Sequence, residues 1–133
     1  MKNRAEKRTV SLARSITFEA AHHLTSVPEG HKCRGMHGHS YRVRVYLSGP
    51  VGNDGFVVDN KEIDRFLKGI RARLDHTCIN QEGIEGLSEN PTAENMCAWV
   101  YDQVPNELRV VFDRVEVHEG PDSFFSMSAQ GWP

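Results

Sequence analysis

Residues His37–Leu47 read HGHSYRVRVYL, and the phase of this stretch decides what the chain can be. Tyr41, Val43, Val45 and Leu47 fall on one side of an alternating pattern, and Arg42, Arg44 and Tyr46 on the other. A period of two is what a half-buried strand requires, so a strand is predicted over His39–Ser48 with one face toward a core. Extending the same period backwards puts His37 and His39 on the apolar side. Two imidazoles two residues apart on an inward strand face can bind one ion together. The alternative for an isolated HxH is a pair of turn or surface residues flanking Gly38.

Working outward, the segment Thr9–Ala21 also reads as a strand. Ile16, Phe18 and Ala20 alternate with Thr17 and Glu19, and the next inward position is His22. His22 on the partnering strand is the candidate third ligand, whereas His23 is expected to face the other way. The run Gly49–Gly55, GPVGNDG, is built of turn residues. A helix is expected from Asp59, whose spacing to Glu62 fits a capping box, with Ile63, Phe66, Leu67, Ile70 and Leu74 on one face. A second helix is expected over Thr92–Val104, opened by Asn90-Pro91-Thr92 and ended by Pro105 and Asn106. Strands are predicted over Leu108–His118 and, after the Gly120-Pro121 turn, Phe124–Ser128. The order β-β-α-α-β-β argues an α+β fold, an antiparallel sheet carrying two helices on one face.

Composition limits the classes of function. The chain has 133 residues, 26% charged and 38% hydrophobic, which suits one globular domain over residues 1–133. A net charge of −2 gives no electrostatic reason to expect nucleic acid as a partner. No apolar run reaches the ~18–20 residues of a membrane span, so no membrane partner is expected. The basic start MKNRAEKR, residues 1–8, is followed by no apolar core of a leader and is expected to fray. Three cysteines are too few for a disulfide framework, which suggests reduced thiols and a cytoplasmic setting. Of these, Cys78 and Cys97 are expected to be buried in packing.

Five of the seven histidines lie between His22 and His39. Three imidazoles with a fourth position open is the arrangement of a catalytic zinc site, whereas structural zinc sites are closed and richer in cysteine. His31, in a Pro/Gly loop, is expected to be solvated. Cys33 is the only nearby thiol, and Lys32 and Arg34 beside it favour the thiolate. It can be a fourth ligand, a nucleophile or base beside the metal, or an inert loop residue. Asp75-His76, just past the first helix, can be a general acid–base pair or a polar cluster at a helix end. Glu119 falls in phase with Val115 and Val117, and an inward carboxylate must meet a ligand or a structural donor.

The segments FEAAH (Phe18–His22), PEGHKC with HGH (Pro28–His39), LDH (Leu74–His76), ENPTAE (Glu89–Glu94) and VHEG (Val117–Gly120) occur in that order. Together they resemble the 6-pyruvoyl-tetrahydropterin synthase superfamily over roughly Ile16–Glu119. The short Cys33-x-x-x-His37 spacing is similar to that of its bacterial, carboxy-forming branch. The resemblance implies His22, His37 and His39 as zinc ligands and Cys33 as the base. It implies Asp75 and His76 as the assisting acid–base pair, Glu119 as the anchor of a pterin ring, and the Thr92 region as a second pterin contact. It also implies the tunnelling fold, in which trimers close a twelve-stranded barrel and stack as homohexamers with sites between subunits. The implied activity is a lyase acting on 7,8-dihydroneopterin triphosphate in queuosine biosynthesis, with Zn2+ as cofactor and no redox cofactor required. A pyruvoyl-forming synthase, or an enzyme of another dihydropterin, is the implied alternative. Two positions depart from the pattern: Gly120 stands where the family usually has threonine, and Thr77 where the bacterial branch often has histidine. Lys32, Arg34, Arg42 and Arg44 are the basic side chains available for a triphosphate, although basic residues on a strand face are ordinarily solvated.

Overall fold

The computed structural model describes residues 8–129. Residues 1–7, most of the segment expected to fray, lie outside the described residues.

Two long strands organise the molecule, β1 (Thr9–His22) and β2 (His37–Pro50), paired antiparallel from Thr9↔Pro50 to His22↔His37. The alternation read in the sequence is the alternation observed. Phe18, Ala20, Tyr41, Val43, Val45 and Leu47 are buried, while Glu19, Ser40 and Arg42 are exposed. Helix α1 (Asn60–Leu74) and helix α2 (Ala93–Asp102) cover the apolar face. Ile63, Phe66, Leu67, Ile70 and Leu74 from α1 and Met96, Cys97, Trp99 and Val100 from α2 complete one core. Among the described residues no helix lies on the other face of the sheet, which an antiparallel sheet tolerates when that face is polar.

The strand order is β3-β1-β2-β4-β5, with β3 (Thr77–Cys78), β4 (Phe112–Glu119) and β5 (Phe124–Ser128). β3 was not legible in the sequence because it is two residues long. It pairs parallel to β1 through Ala20↔Thr77 and Ala21↔Cys78, so one edge of the otherwise antiparallel sheet is parallel. The strand expected from Leu108 begins at Phe112 instead. Residues Asn106–Arg109 form a short helix α3 that buries Leu108, and Val110 is left exposed at the turn. Pro105, whose ring fixes φ near the helical value, starts this turn and overrides the β-branched run that suggested a strand.

Helix α2 ends at Asp102, two residues before the expected Val104. Asp59 caps α1 by accepting from the Lys61 N–H at 2.9 Å, but Glu62 turns to Arg65 at 3.4 Å and the reciprocal half of a capping box is not made. Cys97 is buried as expected, whereas Cys78 is half-buried, its Sγ 3.6 Å from Met36 Sδ.

Candidate active site

Register brings the three histidines together. His22 is the direct cross-strand partner of His37, and Ala20 is that of His39, so all three side chains leave the same face at one end of β1 and β2. Their ligand atoms lie within 4.8 Å of one another. His22 Nε2 is 3.0 Å from His37 Nε2 and 3.1 Å from His39 Nε2.

The outer ring nitrogens fix the tautomers. His22 Nδ1 donates to the Pro91 carbonyl at 2.6 Å, and His37 Nδ1 donates to the Gly35 carbonyl at 2.8 Å. A carbonyl can only accept, so in the neutral rings both Nε2 atoms carry lone pairs that face each other. Such a set calls for a cation at its centre. Zn–N bonds of 2.0–2.1 Å in a tetrahedron put ligand nitrogens roughly 3.3 Å apart, close to the separations found here. The carbonyls on the far nitrogens orient the imidazoles as outer partners of metal ligands do. The donor set therefore fits zinc with one open position. Burial pushes the His22 imidazole down to about 4, with His37 and His39 adding to the effect and the Pro91 carbonyl opposing it. The ring is thus held neutral, the form a metal ligand needs.

The histidines open onto a cavity of about 640 Å³ that is also lined by Lys32, Cys33, Thr92, Glu94, Glu119 and Phe125. Cys33 lies in a single 3-10 turn, Lys32–Arg34. The turn is pinned by Leu24 N–H donating to the Cys33 carbonyl at 2.8 Å and by Cys33 N–H donating to His31 Nδ1 at 3.1 Å. His31 is exposed, as expected, yet it caps the turn that holds the thiol, a role that spacing alone did not reveal. His23 stays out of the cluster, its backbone clasped on both sides by Asn80.

Thr92 is the N-cap of α2, its hydroxyl accepting from the Asn95 N–H at 3.0 Å. Glu119 points inward, as its phase required, with Oε2 3.7 Å from His39 Nε2. That separation is too long for a hydrogen bond, so its acceptor sites remain open to a ligand. Glu94 was not singled out from the sequence, although an acidic residue in the first turn of a helix that opens at the site was the available signal.

Asp75 and His76 do not join this cavity. His76 lines a second one with Glu19, Ala20, Gly38, His39 and Ser40 at the edge of the sheet, and His39 borders both cavities. Here Asp75 is more than the end of a helix. Its Oδ1 accepts from the Glu19 N–H at 3.0 Å and from His76 Nδ1 at 3.0 Å. The Glu19 N–H bond, followed by His76 and Arg71, holds the Asp75 carboxyl below its usual range. His76 donates its backbone N–H to the Glu19 carbonyl at 2.6 Å and adopts φ 60. A left-handed conformation at a non-glycine residue is strained and is retained only where neighbours enforce it.

The two departures from the family pattern have local reasons. Gly120 has φ 86, and a Cβ there would meet nothing within 4 Å, so backbone conformation rather than space favours glycine. Thr77 Oγ1 donates to the Leu74 carbonyl at 2.6 Å, closing the end of α1.

Comparison with known proteins follows the same lines. Residues 11–130 match the family model described as 6-pyruvoyl tetrahydropterin synthase. An Archaeoglobus fulgidus protein, provisionally named 6-carboxy-5,6,7,8-tetrahydropterin synthase, is 34% identical over 83% of this chain and 88% of its own. The Synechocystis 6-carboxy-5,6,7,8-tetrahydropterin synthase is 38% identical over 66% of this chain and 69% of its own. The 6-pyruvoyl tetrahydrobiopterin synthase of Drosophila melanogaster is 28% identical over 86% and 77% respectively. In fold, the chain is similar to Caenorhabditis elegans 6-pyruvoyl tetrahydropterin synthase, with a TM-score of 0.82 at 24% identity over 92% of this chain and 96% of that one. With its five-stranded sheet, its two covering helices and the matched span, the chain belongs to the 6-pyruvoyl tetrahydropterin synthase family.

Proposed function

We propose that this protein is a zinc-dependent lyase that converts 7,8-dihydroneopterin triphosphate and water to 6-carboxy-5,6,7,8-tetrahydropterin, acetaldehyde and triphosphate, a step of queuosine biosynthesis in the cytoplasm. The observation that carries the reading is the convergence of three imidazole Nε2 atoms, a thiol and an open carboxylate on one cavity. Zinc held by His22, His37 and His39 would supply a Lewis acid that acidifies the hydroxyl and adjacent carbon-bound protons of the pterin side chain.

The chain's own residues then have distinct tasks. Glu119 accepts from the ring N–H and amino groups, which orients the pterin. Thr92, whose hydroxyl oxygen already accepts at the helix cap, keeps its O–H to donate to the ring. Cys33 takes a side-chain proton as thiolate. His76 has Nδ1–H committed to Asp75 and presents Nε2 to give or take the second proton.

Cys33 and His76 line different cavities of one chain, which supports a site completed by a second copy. An exposed Asp75–His76 edge of one subunit would meet the Cys33 cavity of the next, in trimers that close a barrel and stack as a homohexamer. The uncovered polar face of the sheet suits the inside of such a barrel. A pyruvoyl-forming activity is the second reading, favoured by the Drosophila relative's name, while the short Cys33–His37 spacing favours carboxy formation.

Removal of zinc by a chelator should abolish turnover and zinc should restore it. Cys33→Ala should keep zinc and assembly while turnover falls ~10²- to 10⁴-fold, the worth of a positioned acid–base group. Loss of zinc or of the oligomer in that variant would contradict the assignment of Cys33 as the base.

A further inference from the structure

The four basic side chains near the site in sequence are separated in space. Arg42 and Arg44 lie on the uncovered face of β2, opposite in phase to Tyr41, Val43 and Val45. Arg42 borders a depression with Thr17, Ser40 and His118, and Arg44 is engaged by Tyr46 with Glu116 nearby. Arg34 turns back on its own loop, its Nη1 donating to the Val27 carbonyl at 2.8 Å. Lys32 alone, among the lysines and arginines of the described residues, lines the histidine cavity.

Its setting suits recognition of an anion. The backbone of the turn is pinned at Cys33 on both sides, and Gly35 N–H donates to the Lys32 carbonyl at 3.3 Å. Lys32 is exposed and lines the cavity, so a compact charge with three donors is available to a ligand there. The cavity's two acidic residues, Glu94 and Glu119, line it from α2 and β4, whereas Lys32 lines it from the loop between β1 and β2. A ligand satisfying all three groups carries N–H donors on one part and an anionic group on another.

We infer that Lys32 recognises the phosphate chain of the substrate and makes the site select a phosphorylated pterin over the same pterin without phosphates. This rests on the pterin reading above. The ammonium pairs with phosphate oxygens by charge-assisted hydrogen bonds, and those contacts are kept as the triphosphate departs.

The test uses zinc-loaded full-length protein and two probes. Inorganic triphosphate is assayed by its protection of Cys33 from alkylation, and unphosphorylated 7,8-dihydroneopterin by equilibrium binding. Lys32→Gln should weaken triphosphate protection ~10- to 100-fold, the range expected for one charge-assisted contact. Dihydroneopterin binding should stay within about twofold, and Lys32→Arg should restore protection by keeping the charge. Unchanged triphosphate protection in Lys32→Gln, or equal weakening of both probes, would overturn the inference. Wild-type protein that is protected by triphosphate through Lys32 but binds no dihydroneopterin would overturn the pterin reading and leave the phosphate contact supported.

Discussion

His76 offers a test in which stability and activity should part company. Its φ of 60 costs an L-residue about 1–2 kcal/mol, and the fold enforces it by the bond from His76 N–H to the Glu19 carbonyl and by Asp75 bridging to the Glu19 N–H. Glycine at 76 would relieve that strain, offset in part by about 0.5–1 kcal/mol of extra entropy in the unfolded chain. Alanine would keep the strain, and both variants lose the exposed ring's bond to Asp75 equally. His76→Gly should therefore be more stable than His76→Ala by about 0.5–1 kcal/mol. In a chain of this size that is roughly 2–5 °C in Tm. The assay is thermal unfolding of both zinc-loaded variants at one protein concentration, followed by turnover. Both should be nearly inactive, since neither retains the imidazole. Equal or reversed stabilities would refute the strain argument, and full turnover in either variant would refute the acid–base role of His76.

Other expectations follow from the same geometry. In the zinc-free protein, the unfolded chain protonates His22 below its ordinary value of 6.5 while the folded chain resists to about 4. Unfolded protein therefore binds more protons in that window, and stability should rise with pH from about 4 to 6.5 by at most ~3 kcal/mol and level off above it. Urea midpoints measured across pH for wild type and His22→Gln check this, because the variant should lack that slope. Glu119→Gln should raise KM for the pterin by ~10- to 100-fold with zinc content unchanged, as expected for loss of a charged acceptor, and an unchanged KM would remove Glu119 from the ring contact.

The histidine cluster was legible in the sequence because strand parity is a strong constraint. Once Tyr41, Val43 and Val45 face the core, His37 and His39 must share their side, and a pairing partner reaching His22 completes the set. Glu119 was legible for the same reason. Helix α1 was read from its apolar spacing down to the Asp59 cap, but the particular cap bond depends on side-chain rotamers that spacing does not specify.

The misses share a cause. β3 is held by two pairings to β1 and has no periodicity of its own, and Val110-Val111 reads as strand until the Pro105 turn is accounted for. Cys78 sits on that same short edge and so is only half-buried. Cys33 and His76 line different cavities that meet at His39, a tertiary fact that adjacency in sequence does not carry.

The measurement that bears most directly on the proposed activity is product identification by mass spectrometry after incubating zinc-loaded protein with 7,8-dihydroneopterin triphosphate. The account predicts 6-carboxy-5,6,7,8-tetrahydropterin together with acetaldehyde and triphosphate. A 6-pyruvoyl product without acetaldehyde would contradict the carboxy-forming assignment and move the chain to the sister activity, and no turnover at full zinc occupancy would contradict this substrate altogether.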